Sequence, residues 1–371
     1  MNTMLSVEAR ETALAVTFSS GETVCYPWLW LKDNAPSAFH PQTEERIFDL
    51  TRVEPSLRPI SVQDRGGTVS IVWLNDQAEE EFPGQFFESY RPGRKRNDPA
   101  DIAPKLWDGS IDLETIPRHS AGDILQSDAD LLAWLKATAA YGLSIVDGLD
   151  DDPDAGRRAA ERIGFLRQTN FGTMFEVVSM PKPNNLAYTP VALPLHTDLA
   201  NQEVPPGYQF LHCIANEAEG GGSVFADGFA IVAALQAEDP EAYRLLCEVE
   251  IPYRFHDENY DLRGRFPVIV TRRDGEVTEL RFNAHLVDVI DLPSDICAPF
   301  YAAYRKLMMM IRGSRFQIAY RLKAGEMAVF DNRRVLHGRR QSFNPNTGRR
   351  HLRGCYVDRG EFQSRIRVLS R

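Results

Sequence analysis

His196 and Asp198 stand one residue apart in a short apolar stretch, and His337 follows 139 residues after that Asp. Two imidazoles and one carboxylate are the ligand set of a facial triad. They fill one face of a six-coordinate metal and leave the other to small molecules, which is how non-haem iron(II) meets dioxygen. Residues i and i+2 of an extended segment point to the same side, so His196 and Asp198 can share one ion while His337 arrives from a distant strand. Alone, a His-x-Asp pair in a chain with eight histidines is more often a loop His beside a turn-forming Asp.

The tract after His337 shifts that balance. Arg349 and Arg350 lie just past His337, in the segment 347–358. A guanidinium fork binds a carboxylate bidentately, and a strand sends alternate side chains into one pocket, so the tract suits a cosubstrate with two carboxylates.

A chain of 371 residues, 43% hydrophobic and 25% charged, is long enough to bury a large core and to form two domains. Its formal net charge of -10 argues against a nucleic-acid partner, which would call for a basic face. Five scattered cysteines fit a reducing compartment better than a disulfide framework. The first ten residues have no basic region leading into an apolar one, and no later run is long enough to span a bilayer. A cytoplasmic protein with no membrane partner is therefore expected.

Residues 12–18 and 23–26, joined by Ser-Ser-Gly-Glu, predict a hairpin, and 68–73 a third strand. The charged, turn-rich stretch 91–99 reads as connecting chain. The expected division is a small β-rich N-terminal domain over 1–96, a linker over 97–117 and a main domain over 118–371. Helical patterns cover 128–140, 154–166 and 297–310. Short β-like runs at 208–213, 316–320, 327–330 and 353–357, broken by Gly and Pro, predict a mainly β domain with flanking helices, either a sandwich or a jelly roll.

From Phe171 through Tyr188, His196-Thr-Asp198, 206–213, 220–228 and 330–333 to Tyr356, the chain resembles the gamma-butyrobetaine dioxygenase branch of the taurine dioxygenase-like, 2-oxoglutarate-dependent iron(II) oxygenases. The part from Trp28 to Tyr90 is similar to the small domain that precedes the catalytic one in that branch. The resemblance implies a double-stranded β-helix (jelly-roll) catalytic domain, a homodimer, and Fe(II) held by His196, Asp198 and His337. It also implies 2-oxoglutarate as cosubstrate, its far carboxylate on Arg350, with Ser223 close by. Dioxygen then decarboxylates the oxoacid to succinate and carbon dioxide while an unactivated C–H bond is hydroxylated.

The same resemblance places an aromatic cage at Phe171, Phe175, Tyr188 and Tyr356. A quaternary ammonium cannot donate a hydrogen bond, so aromatic faces are its natural partners, at about 0.5–2 kcal/mol each. By spacing alone, Phe171 and Phe175 equally fit the buried stripe of a short helix or loop. Asn185 and Asn283 match positions that reach the substrate carboxylate, and His285 lies next to the second. Four departures from the family pattern stand out. Two cage positions hold Phe where the animal enzymes carry Tyr and Trp, Leu199 follows the His-x-Asp where they carry Tyr, and Asn283-Ala284 replaces Asn-Asn. The family's small domain also holds zinc through three Cys and one His, whereas Asn34 to His40 here contains no Cys. Thiolates make such a site tight, so zinc is not expected.

The leading expectation is hydroxylation of a small trimethylammonium substrate, gamma-butyrobetaine to carnitine first. Trimethyllysine or trimethylaminoethylphosphonate would be the same chemistry on another substrate. A non-catalytic metal- and ligand-binding jelly roll is the alternative of a different class, and the triad together with Arg350 argues against it.

Overall fold

Ala13–Phe18 and Thr23–Pro27 pair antiparallel around Gly21, whose φ of 81° is a left-handed value that glycine takes without strain. In the computed structural model, which describes residues 3–74, 77, 79–150, 152–180 and 186–371, the chain divides into units Met1–Asp98 and Pro99–Arg371. The first unit contains β1 (Met4–Ala9), β2 (Ala13–Phe18), β3 (Thr23–Pro27), α1 (Trp28–Asp33), β4 (Pro59–Asp64), β5 (Thr68–Trp73), β6 (Glu79–Pro83) and α2 (Gly84–Ser89). Its strands form two three-stranded antiparallel sheets, β1-β2-β3 and β4-β5-β6. Val16, Tyr26, Ile71, Trp73 and Phe82 from these strands, with Trp28 of α1, make one apolar core. Within that unit Lys32 Nζ lies 3.6 Å from Glu80 Oε1, both side chains being no more than 7% exposed. Ser37 Oγ donates to the same carboxylate, and the ammonium sits 5.6 Å from the Trp73 ring centre.

The second unit continues with β7 (Arg118–Ser120), α3 (Ala121–Gln126), α4 (Asp128–Tyr141), β8 (Leu143–Asp147), α5 (Ala155–Glu161), β9 (Met174–Val177), β10 (Leu193–His196), β11 (Tyr208–Asn216) and β12 (Ser223–Asp227). It goes on through α6 (Gly228–Glu238), α7 (Pro240–Glu248), β13 (Glu250–His256), β14 (Asp261–Pro267), β15 (Ile269–Thr271) and β16 (Val277–Leu280). The last elements are α8 (Ser294–Arg312), β17 (Gln317–Tyr320), β18 (Met327–Asp331), β19 (Val335–Arg339), β20 (Arg350–Val357) and α9 (Arg359–Leu369). A six-stranded sheet, β7-β8-β18-β11-β20-β9, and a four-stranded one, β10-β19-β12-β17, are the two walls of a jelly roll. Leu211, Phe225, Ile318, Phe330 and Leu352 fill the space between them. Trp134, Ile163, Phe210 and Phe362 pack the helices α3, α4, α5 and α9 on the outer face of the larger sheet. Ile231, Leu246, Leu307 and Leu336 pack α6, α7 and α8 on the outer face of the smaller sheet.

Three expectations need adjusting. Residues 97–117, read as a linker, belong from Pro99 onward to the second unit, where Trp107 is buried and donates from Nε1 to Tyr141 O at 2.8 Å. The helix expected over 154–166 ends at Glu161, because the chain there turns to pair with β20: Leu166 bridges Val357, and Arg167 N donates to Tyr356 O at 2.8 Å. The strand β20 begins at Arg350, three residues earlier than its apolar run suggested, because its first inward residue is a buried arginine. Among the described residues no helix is long and apolar enough to cross a membrane.

Candidate active site

Strand phase decides what reaches the interior. On β19, Val335 packs in the inter-sheet core while Leu336 packs under the helices, so His337 and Arg339 share the inward phase. By the same alternation β12 sends Ser223 and Phe225 inward, β20 sends Arg350, Leu352, Gly354 and Tyr356, and β9 sends Phe175 and Val177. His196 closes β10 and stands directly opposite His337 in the ladder.

His196, Asp198 and His337 bring one ligand atom each within 4.8 Å of one another. His196 Nε2 is 3.2 Å from Asp198 Oδ1, and His337 Nε2 is 3.8 Å from Asp198 Oδ2. The other nitrogen of His196, Nδ1, meets Pro194 O at 2.8 Å, which makes it the protonated one and leaves Nε2 a free lone pair. Asn332, fully buried, accepts from Asp198 N at 2.7 Å and donates to Asp198 O at 3.1 Å, so the backbone of the ligand loop is held on both sides. Burial alone would raise the Asp198 carboxyl, but His337, His196 and the Tyr356 hydroxyl hold it well below the usual carboxylate range. Burial pushes His337 down to about 3, the neutral state a metal ligand requires. His337 Nδ1 is buried without a partner among the described residues. A carboxylate and two imidazoles converging on one point fit a divalent iron.

One cavity of about 340 Å³ opens from this cluster. Arg350 lines it and is 8% exposed; its Nε donates to Gly221 O at 3.2 Å, and among the described residues no carboxylate pairs with it. Burial lowers its guanidinium to about 10, still far above neutrality, so a full positive charge waits there for an anion. Gly221 explains part of the glycine run: its φ is 67°, and a Cβ there would come 2.9 Å from Arg350 Nε. Ser223 also lines the cavity, opposite Arg339 in the β12–β19 ladder.

The aromatic residues Phe171, Phe175, Tyr188 and Tyr356 line the same cavity. Phe175 and Tyr356 stack with ring centres 5.0 Å apart at 29°, and Phe171 meets Phe255 edge-on at 5.2 Å. Leu199 lines it as well, buried and with a φ of 55°, a left-handed conformation rare for a branched side chain and strained by about 1–3 kcal/mol. Asn283 and His285 complete the set, the His285 ring centre 6.5 Å from that of His196. The Asn283 amide is partly committed: Nδ2 donates to Thr197 O at 3.0 Å, and Oδ1 accepts from His285 N at 3.1 Å. It thus ties the Thr197 backbone to the His285 turn. Asn185 lies outside the described residues.

Sequence reasoning missed three members of this cavity. Arg339, buried, donates to the carbonyls of Ala187 at 3.0 Å and Val191 at 2.8 Å and to that of Thr189, and so holds the segment that carries Tyr188. Its position two after His337 on a strand was the available signal. Gln209, 2% exposed with Oε1 unpartnered among the described residues, lies opposite Tyr356 in the β11–β20 ladder. A polar residue on the inward phase of an apolar strand could have marked it. Phe255 had no such signal, because β13 belongs to neither wall of the roll.

Comparison with known proteins agrees with this geometry. The family model described as "Taurine catabolism dioxygenase TauD, TfdA family" matches residues 112–356, and "Gamma-butyrobetaine hydroxylase-like, N-terminal" matches residues 5–83. A gamma-butyrobetaine dioxygenase of Pseudomonas sp. (strain AK-1) is 38% identical over 99% of this chain and 96% of its own length. The gamma-butyrobetaine dioxygenase of Homo sapiens is 27% identical over 99% and 97% respectively. The mitochondrial trimethyllysine dioxygenase of Gallus gallus is 28% identical over 93% and 83%.

Proposed function

Because the chain belongs to the TauD, TfdA dioxygenase family, we propose that it hydroxylates gamma-butyrobetaine to carnitine. It is a dioxygenase that uses Fe(II), 2-oxoglutarate and dioxygen. The observation that carries the substrate reading is one cavity lined by the His196, Asp198 and His337 cluster, by Arg350, which no carboxylate pairs with among the described residues, and by the stacked Phe175 and Tyr356 rings.

In this reading His196, Asp198 and His337 would hold the iron. When bound, iron activates dioxygen against the oxoacid, so that one oxygen atom ends in succinate, carbon dioxide leaves, and the other oxygen atom is inserted into a substrate C–H bond. Arg350 takes the far carboxylate of 2-oxoglutarate, with Ser223 beside it. The rings of Phe171, Phe175, Tyr188 and Tyr356 take the trimethylammonium head. Leu199 supplies an apolar wall next to the metal loop, and Asn185, Asn283 and His285 serve the substrate carboxylate. The protein's contribution is position, since an oriented C–H bond beside the oxidising centre decides which carbon reacts. A homodimer and a cytoplasmic location complete the reading, supported by the family resemblance and by five cysteines that are all unpaired.

The test is aerobic incubation with Fe(II), 2-oxoglutarate and ascorbate against gamma-butyrobetaine, trimethyllysine, trimethylaminoethylphosphonate and a primary-amine control, scoring succinate and hydroxylated product. Carnitine formed one-for-one with succinate is expected. A hydroxylated product from another member of the panel alone would transfer the assignment to that compound. Succinate at one unchanged rate with every member would remove the trimethylammonium assignment.

A further inference from the structure

Tyr356 belongs to two parts of the site at once. Its ring, 4% exposed, stacks on Phe175 at 5.0 Å, and its hydroxyl donates to Asp198 Oδ2 at 2.6 Å. Asp198 Oδ1 points the other way, 3.2 Å from His196 Nε2. Charge-assisted O–H···O bonds of this length are the stronger kind, and a short bond from a ring wedged in a strand fixes the plane of the carboxylate. The ring has little freedom to withdraw, since its strand partner Gln209 is buried and Phe175 covers one face.

We propose that Tyr356 is a positioning residue for the metal as well as a wall for the substrate: its hydroxyl holds Asp198 Oδ2 so that Asp198 presents Oδ1, beside His196, to the ion. The inference rests on the iron site and aromatic site read above. It explains why a tyrosine stands here when the ring alone would serve a trimethylammonium group, as Phe171 and Phe175 do. It also means that whatever packs against the Phe175 and Tyr356 rings presses on the orientation of a metal ligand.

The two roles separate in Tyr356→Phe, which keeps the ring and removes the hydroxyl, and in Tyr356→Leu, which removes both. Two readouts avoid turnover: cobalt(II) affinity with the visible d–d spectrum of the cobalt protein, and calorimetric binding of gamma-butyrobetaine to metal-free protein. The Phe variant should bind gamma-butyrobetaine as wild type does, while its cobalt affinity falls roughly 10-fold, the low end for loss of a partner to a ligand, and its d–d bands move. The Leu variant should lose both properties, so that Phe rescues only the first. Wild-type cobalt affinity and an unchanged spectrum in Tyr356→Phe would overturn the proposal. If the Leu variant misfolds, the Phe variant against wild type decides alone. If no form binds gamma-butyrobetaine while the Phe variant still weakens cobalt, the substrate reading falls and the role of the hydroxyl stands.

Discussion

Gly354 and Phe175 are cross-strand partners on β20 and β9, and the Phe175 ring occupies the space where a side chain on residue 354 would stand. A Cβ there would come 2.6 Å from Phe175 Cε2, closer than real Cβ contacts allow. The glycine therefore permits the ring to lie against Tyr356. Gly354→Ala should push Phe175 off its stacked position at a stability cost of about 1–3 kcal/mol. The KM for the trimethylammonium substrate should rise roughly tenfold, about one aromatic contact. That for 2-oxoglutarate should hold. Steady-state kinetics with each varied in turn checks it, and equal rises in both would mean that β20 as a whole has shifted.

Asp198→Ala removes the one anionic member of the triad. Metal binding should fail and turnover should be abolished. In wild type, metal at a hundredfold over its Kd stabilises the fold by about 2.7 kcal/mol, so cobalt(II) should raise the thermal midpoint of wild type and leave that of the variant where it was. A variant still stabilised by cobalt would place the metal elsewhere.

Arg350→Ala should weaken 2-oxoglutarate by about 1.5–3 kcal/mol, the usual worth of a hydrogen bond to a charged group, and should leave the trimethylammonium substrate nearly unaffected. Arg350→Lys should restore only part of the loss, because an ammonium brings the charge without the two-pronged geometry. Calorimetric titration of the metal-free variants with each ligand separates the two. Losses of equal size for both ligands would make Arg350 a structural residue.

His196 and His337 were legible as neighbours, since they stand directly opposite in the β10–β19 ladder, whereas Asp198, expected on the same extended segment, lies in the turn just after β10 and still comes within reach of both. The hairpin of β2 and β3 was legible from a turn signal between two alternating runs. Edge strand β1 was not, since its outward residues give it little apolar pattern, and neither was Phe255, on a hairpin outside the two walls. Arg339 lay in plain view beside His337, but nothing local says that an arginine will spend its donors on main-chain carbonyls 148 to 152 residues away. Contacts of that range follow from the closure of the roll.

In the small unit the Lys32 and Glu80 pair is buried, with Ser37 completing the carboxylate's contacts. Lys32→Met should destabilise this unit by about 3–5 kcal/mol, because the remaining Glu80 charge loses its partner inside the fold. Lys32→Met with Glu80→Leu should recover most of that. Urea unfolding followed by tryptophan fluorescence reports it, since Trp28 and Trp73 lie in the same core. Asn34 to His40 holds no Cys to supply a thiolate, so metal analysis of the purified protein should find no stoichiometric zinc beside the iron.

Arg339 tests whether the Tyr188 segment must be held for the reaction to stay coupled. Its guanidinium donates to the carbonyls of Ala187, Thr189 and Val191, and burial followed by the neighbouring Arg350 lowers it to about 10, so it remains a cation at neutral pH. Arg339→Met fills similar space without donors and leaves three carbonyls to find water or move, at about 1–3 kcal/mol for each that stays buried. Movement is the cheaper outcome, since Ala187 to Pro190 are only half-buried and Val191 is exposed. The variant should exchange amide hydrogens faster across 187–191, show a raised KM for the trimethylammonium substrate, and release succinate in excess of hydroxylated product, because the oxoacid still reacts while the C–H bond is less firmly presented. Wild-type exchange and full coupling in Arg339→Met would mean that the segment is held by the cavity walls alone.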